Sequence, residues 1–197
     1  TTQEIFSLDE LVEAFSFERV NKSGAKFDPE KTKWFNQQYL RKKSDAELAS
    51  LFLTVLTENG ISAETAFVEH ACRLLKEKAY FVHEFWKEGS YLFVTPTNYD
   101  AEVIKKRWNE KAAAFIVAVT EAFKNLNTFT AAETETVFKA TAEAQGLGAG
   151  QVMQLFRVCI SGVGGGPALF EIVELLGKQE IIKRLEKASA SIPERIE

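Results

Sequence analysis

Three groups of residues in this 197-residue chain have types and spacing suited to chemistry. The first is basic. Between positions 19 and 43, Arg19, Lys22, Lys26, Lys31, Lys33, Arg41, Lys42 and Lys43 are opposed only by Asp28 and Glu30, in a chain whose net charge is -4. Such a cluster can neutralise nucleic-acid phosphates, and it also fits a solvated, lysine-rich helix face. The second group is glycine. Eight of the eleven glycines lie between Gly146 and Gly177, including the run Gly164-Gly165-Gly166 before Pro167. A glycine-rich connection exposes backbone N–H and C=O groups that can read the edges of unpaired bases, or it simply joins two helices. The third group is His70 and His83, beside Glu69 and Glu84. Adjacent helical positions point in different directions, and no serine or cysteine nucleophile pairs with either histidine, so both read as helix-surface or packing residues.

Other chemistries are excluded by what is missing. The glycine run lacks the spaced glycines and Lys-Ser/Thr of a phosphate-binding P-loop, and the segment before it is helical. No nucleophile elbow, H-E-x-x-H, paired-cysteine or dinucleotide-binding signature occurs. Two histidines and two cysteines are too few for a convincing zinc site. Cys72 and Cys159 sit in helix-like apolar patterns and read as buried, reduced thiols of a cytoplasmic protein.

The elements that position these groups read as helices nearly throughout. Ser7 with Glu10, Ser44 with Glu47 and Thr130 with Glu133 are capping boxes, and Asp28-Pro29 is a fourth start signal. Leu48, Leu51, Phe52 and Val55 keep helical spacing, and Ile181, Leu185, Ala188 and Ile192 share one face. The spacing predicts one long helix from Ala101 to Leu126 burying Ile104, Trp108, Phe115, Val119 and Phe123. Ser90–Thr95 (SYLFVT) reads as a short strand or extended buried segment. One helix is expected to end near Ile160 and another to begin after Pro167. Trp34, Phe35 and Tyr39 either join the core or set the angle at which the basic groups are presented. The predicted class is all-α, in two helical subdomains, 1–97 and 98–197, divided at Pro96-Thr97-Asn98-Tyr99-Asp100.

At 46% hydrophobic and 26% charged, the composition is that of a soluble globular protein. A chain of this length buries roughly 70% of its unfolded surface without needing staples. No apolar run approaches a membrane span. Net acidity argues against indiscriminate nucleic-acid coating, but not against a gathered basic patch. The chain begins at Thr1 and its one methionine is Met153, as expected of either a processed product or a fragment of a longer protein.

Several strings together resemble one family. EIFSLDELVEAFSFERVNKSGAKFDPEKTKWFNQQYLR (4–41) is similar to the segment after the catalytic domain of bacterial glutamyl-tRNA synthetases. GPALFEIVELLGKQEIIKRLEKA (166–188) resembles their closing motif, and LFRVCISG (155–162) their L-R-x-x-x-x-G helix end. The H-I-G-H-like and K-M-S-K-S-like motifs of the catalytic domain are absent, and Asn21-Lys22-Ser23-Gly24 is not the second of these.

The resemblance implies a first half that contacts the tRNA stem and a second half that is a helical cage around the anticodon loop. It places Arg157 at the first anticodon base, with Gly166, Pro167, Ala168 and Leu169 in the same pocket. Lys78 falls where some members meet the third base with arginine. The eight basic residues of the cluster would contact the stem backbone. The implied partners are glutamate tRNA and the catalytic domain of the same polypeptide, in a cytoplasmic monomer. No cofactor is expected in this chain; ATP and magnesium would serve the catalytic domain. The alternative is a helical scaffold whose basic face docks a protein.

Overall fold

The computed structural model describes residues 3–20, 24 and 26–192, and among these the chain is all-α. In chain order the helices are α1 (Leu8–Ala14), α2 (Pro29–Lys42), α3 (Asp45–Glu58), α4 (Thr65–Leu75), α5 (Glu84–Gly89), α6 (Ala101–Arg107), α7 (Glu110–Lys124), α8 (Ala131–Ala144), α9 (Ala149–Ser161) and α10 (Leu169–Ser191). The capping residues set where they begin. Ser7, Ser44 and Thr130 each form a reciprocal box with the glutamate three residues on, satisfying N–H groups that the first turn leaves orphaned. Asp28 accepts from the N–H groups of Glu30 and Lys31, and Pro29 opens α2 where a missing N–H costs nothing.

Two expectations are corrected. Residues 101–126 are not one helix: α6 ends when Trp108 turns extended (ψ 123°), and the Asn109 side chain accepts from the N–H of Ala112 to start α7. An asparagine that can cap a new helix outcompetes continuation of the old one. Ser90–Thr95 is not a strand either. Ser90–Leu92 forms a 3-10 turn directly after α5, with the N–H groups of Phe93 and Val94 both donating to the Ser90 carbonyl. With no strand among the described residues to pair with, the segment satisfies its backbone locally.

α3 and α4 pack together with α5 against them, and α7, α8, α9 and α10 form a second group; α10 also reaches α4. Phe52 meets Phe85 and Phe93 edge to face at 5.4 and 5.7 Å in the first group. Phe138 meets Phe115, Phe156 and Phe170 at 5.1, 5.0 and 5.5 Å in the second. One continuous buried set runs through both, from Leu48 and Phe52 through Tyr91 and Leu92 to Ile181 and Leu185. Both cysteines are buried and unpaired. Burial pushes the Cys72 and Cys159 thiols up to about 12, so they remain protonated. Inside α10, Gly177 adopts φ 76° and ψ 163°, a kink that lets the helix change direction between its pocket end and its core end. Among the described residues, no helix is long and apolar enough to cross a membrane.

Candidate nucleic-acid interface

The loop between α9 and α10 is shaped by its glycines. Gly162 ends α9 in the left-handed region (φ 80°), and a side chain there would strike the Asn98 carbonyl at 2.6 Å. Its own carbonyl accepts from the Asp100 N–H at 2.9 Å. Gly166 has φ 144°, and a Cβ built on it would lie 3.1 Å from both Arg157 Nη1 and the Tyr91 hydroxyl. Only glycine fits there, because the backbone passes directly over two polar side-chain tips.

Lys78 comes to the same loop from the other half of the chain. Its Nζ donates to the Gly166 carbonyl at 2.7 Å, bridging 88 positions of sequence. Two clefts meet at this bond. One, of about 430 Å³, is lined by Lys87, Ser90, Tyr91 and Val163 as well as Lys78 and Gly166. The other, of about 370 Å³, is lined by Arg73, Pro167, Ala168 and Glu171 with the same two residues. A third, of about 660 Å³, continues from Arg73 and Glu171 along α4 and α10 to His70 and Glu174. The result is a groove at the junction of the two helical groups, crossed by the Lys78–Gly166 hydrogen bond.

The turn carrying Lys78 is braced. Arg41 Nη2 donates to the Glu77 carbonyl at 2.7 Å, Gln37 to that of Ala79 at 3.5 Å, and Asn36 to that of Tyr80. These α2 side chains thus satisfy carbonyls just past the end of α4. From the other side, Arg73 and Lys76 grip Asp45 at 2.7 and 2.8 Å.

The predicted anticodon residues therefore converge in part. Lys78, Arg157 and Gly166 come together, and Pro167 and Ala168 line the adjoining cleft. Leu169 does not face the groove with them: it is the first residue of α10 and is buried in the core.

The predicted backbone-contacting cluster is divided rather than gathered. Lys31 and Lys42 lie eleven residues apart, three helical turns, on the face of α2 opposite Asn36 and Leu40. Lys31 sits over the Phe35 ring at 5.6 Å. Lys33 and Arg41 turn toward acids, pairing with Glu30 at 2.9 Å and Glu77 at 3.2 Å, and Lys43 is 3.7 Å from Glu47. Exposed pairs of this kind are worth little and exchange readily. Arg19 and Lys26 are exposed on the segment before α2, and Lys22 lies outside the described residues. Trp34 and Tyr39 are themselves partly exposed beside these lysines rather than core.

Two residues escaped the reading of the sequence. Tyr91 was hidden in an apolar run, where nothing marked its hydroxyl. Arg184 is 2% exposed; its Nε pairs with Glu180 at 2.7 Å, while Nη1 donates to the carbonyls of Tyr91 at 2.7 Å and Ile160 at 2.8 Å. Its signal was available: it lies three residues after Ile181 and four before Ala188, on the apolar face. Arg184 thereby ties the end of α9 and the turn bearing Tyr91 to α10. Thr95 and Lys187 add bonds across the same seam, to Glu180 at 2.7 Å and to the Pro96 carbonyl at 2.9 Å.

This seam has a pH signature. Burial raises the pKa of the Glu180 carboxyl, but hydrogen bonds from Thr95 and Arg184 outweigh it and hold the group below its ordinary value. At Asp45 burial likewise raises the pKa, but Lys76 and Arg73 outweigh it and hold the carboxyl below its ordinary value. A depressed folded-state pKa contributes stability above the unfolded carboxylate pKa and loses it as pH falls through the folded value. The urea midpoint is expected to hold from pH 7 to about 5 and to fall below about pH 4.5, the range of free carboxylates. Glu180→Gln should flatten part of that fall; an unchanged profile would contradict the assignment.

Among the described residues, no group of three or more His, Cys, Asp or Glu side chains is placed to hold a metal ion. The sequence and the fold both have counterparts among known proteins. A glutamate–tRNA ligase of Flavobacterium johnsoniae is 45% identical over 192 residues, covering 98% of this chain and 38% of its own length. That of Porphyromonas gingivalis is 38% identical over 186 residues, covering 94% of this chain and 37% of its own. Among solved structures, a glutamate tRNA ligase from Elizabethkingia meningosepticum in complex with its amino acid superposes with a TM-score of 0.90 at 36% identity. That likeness covers 96% of this chain and 38% of the other. The glutamate-tRNA synthetase of Elizabethkingia anophelis gives a TM-score of 0.85, also at 36% identity, over 96% of this chain and 37% of its own. The chain spans well under half the length of these relatives and matches their C-terminal portion. Over residues 34–189 it matches the family described as "Anticodon binding domain", and it belongs to that family.

Proposed function

We propose that this chain is the RNA-reading portion of a glutamate–tRNA ligase, binding glutamate tRNA through its stem and its anticodon loop. The observation that carries the reading is the convergence of Lys78 and Arg157 on the one glycine-rich loop, at the mouth of a groove between two helical groups. Residues 1–97 meet the stem, and residues 98–197 cage the anticodon loop. Arg157, Gly166, Pro167 and Ala168 hold the first anticodon base, Leu169 supports the loop from within, and Lys78 meets the third base. Lys31 and Lys42 face outward to backbone phosphates with the exposed Arg19 and Lys26, joined by Lys33 and Lys43 when their weak surface pairs exchange, while Arg41 offers only what its bond to the Glu77 carbonyl leaves free. Phosphate contacts fix position, and base contacts fix identity.

The catalytic domain of the same polypeptide is the second partner. Leu8, Leu11 and Val12 of α1 and Phe15 just after it repeat at helical spacing and are all exposed, as are Phe17 and Phe27. Such a contiguous apolar surface suits a neighbouring domain better than water. ATP- and magnesium-dependent glutamylation belongs to that domain, and this chain alone is expected to be inactive. The assembly acts as a cytoplasmic monomer. The family match does not favour the protein-scaffold alternative.

Fluorescence anisotropy with anticodon stem–loops, altered one base at a time, tests the reading. Arg157→Ala should lose about 1–3 kcal/mol, confined to one anticodon position. Lys42→Ala should weaken all sequences alike and reduce the salt dependence by about one ion. Unchanged affinity for both variants would reject the interface.

A further inference from the structure

We propose that Tyr91 is a base-reading residue: its hydroxyl and Arg157 Nη1 form a two-donor site for the keto oxygen of an unstacked base. The inference deepens the RNA reading above and rests on it.

The Tyr91 hydroxyl and Arg157 Nη1 are both sealed from solvent, and neither has a hydrogen-bond partner. Leaving a buried polar group unpaired is costly, and natural folds keep such atoms where a ligand satisfies them or where strain is stored. Each of the two atoms is 3.1 Å from the position a Cβ on Gly166 would take, so once that backbone moves off them a single acceptor there would satisfy both. The surroundings make Tyr91 a donor there. Burial pushes its phenol up to about 12, against the opposing pull of Arg157, so the proton stays on at neutral pH.

The ligand chemistry follows. A carbonyl oxygen has two lone pairs and accepts from both donors at once. Cytosine, uracil and guanine carry a keto oxygen; adenine carries none. The position of Tyr91 is fixed from behind, because Arg184 holds its carbonyl at 2.7 Å, and Tyr91 is among the residues that line the cleft with Lys78 and Gly166. A base reaches the two donors when residues 163–166 withdraw, which breaks the 2.7 Å Lys78–Gly166 bond and frees that ammonium as well. The glycines at 164, 165 and 166 give the segment the freedom to do so.

The test uses the whole chain and an anticodon stem–loop of glutamate tRNA, read by anisotropy at fixed salt. The position sensed by Arg157→Ala is first identified by making each anticodon nucleotide abasic in turn. Tyr91→Phe removes only the hydroxyl and keeps the packed ring. It should lose about tenfold in affinity for RNA with a keto base at that position, and nothing for RNA with adenine or no base there. In a double-mutant cycle, Arg157→Ala and Tyr91→Phe together should lose less than the product of their separate losses. If wild-type discriminates bases but Tyr91→Phe binds every RNA as wild-type does, or loses affinity for the abasic RNA equally, the two-donor site is overturned and the RNA reading stands. If wild-type prefers no base at any position, both fall together.

Discussion

Arg184→Ala is expected to destabilise the fold by about 3–5 kcal/mol, the loss typical of removing one partner from a buried, hydrogen-bonded charge network. The guanidinium is 2% exposed, and three bonds depend on it. Without it, the Tyr91 and Ile160 carbonyls lose their donor, and Glu180 keeps only Thr95 and a loose contact with Lys183 at 3.5 Å. At this chain length each kcal/mol moves the melting temperature by roughly 2–4 °C, so calorimetry and urea unfolding should both register the change clearly. Arg184→Met, which keeps length and bulk without donors, should recover only the packing part. Should Arg184→Met prove as stable as wild-type, the three bonds contribute nothing net and the seam is held by apolar contact alone.

Phe138→Ala should cost a similar amount, about 3–5 kcal/mol, through a different mechanism. Phe138 is fully buried and touches three aromatic rings, those of Phe115, Phe156 and Phe170, each edge to face. Deleting the ring leaves a cavity that those rigid neighbours cannot collapse to fill. The consequence reaches the interface, because Phe156 precedes Arg157 on α9 and Phe170 lies in the first turn of α10, next to the loop. Phe138 is the wedge that fixes the spacing between those two helices. RNA affinity should therefore fall with stability in Phe138→Ala and recover largely in Phe138→Leu. Full affinity in a destabilised Phe138→Ala would show that the pocket is set by its loop alone.

Helices were legible because capping chemistry is local: Ser44 and Glu47 find each other across a single turn whatever the rest of the chain does. The same locality misled at Trp108–Asn109, where apolar spacing continued through a break that one asparagine side chain made favourable. Arg157 and the glycine loop were legible through motifs whose spacing survives in sequence. Lys78 follows in sequence only from the family resemblance, and three-dimensional proximity alone shows it bound to that loop. Tyr91 was not legible, since a short apolar run looks alike whether it becomes strand, turn or helix. Charge counting along the chain overstated the basic patch. A helix distributes neighbours in sequence around its circumference, so Lys33 and Arg41 meet acids at the surface while Lys31 and Lys42 project from another face.

The grip of α2 on the turn that bears Lys78 has a metric consequence. Asn36, Gln37 and Arg41 hold that turn by its backbone, so the outward lysines of the same helix stand at a fixed distance and bearing from the groove. A nucleic acid engaged at both places must present its helical stem and its loop with matching separation and rotation. A stem shortened or lengthened by one base pair would swing the loop around the helix axis as well as along it, and the bases would miss the groove although their sequence was correct. The protein would then act as a gauge of stem length, and it would reject ill-sized RNAs without contacting a single paired base.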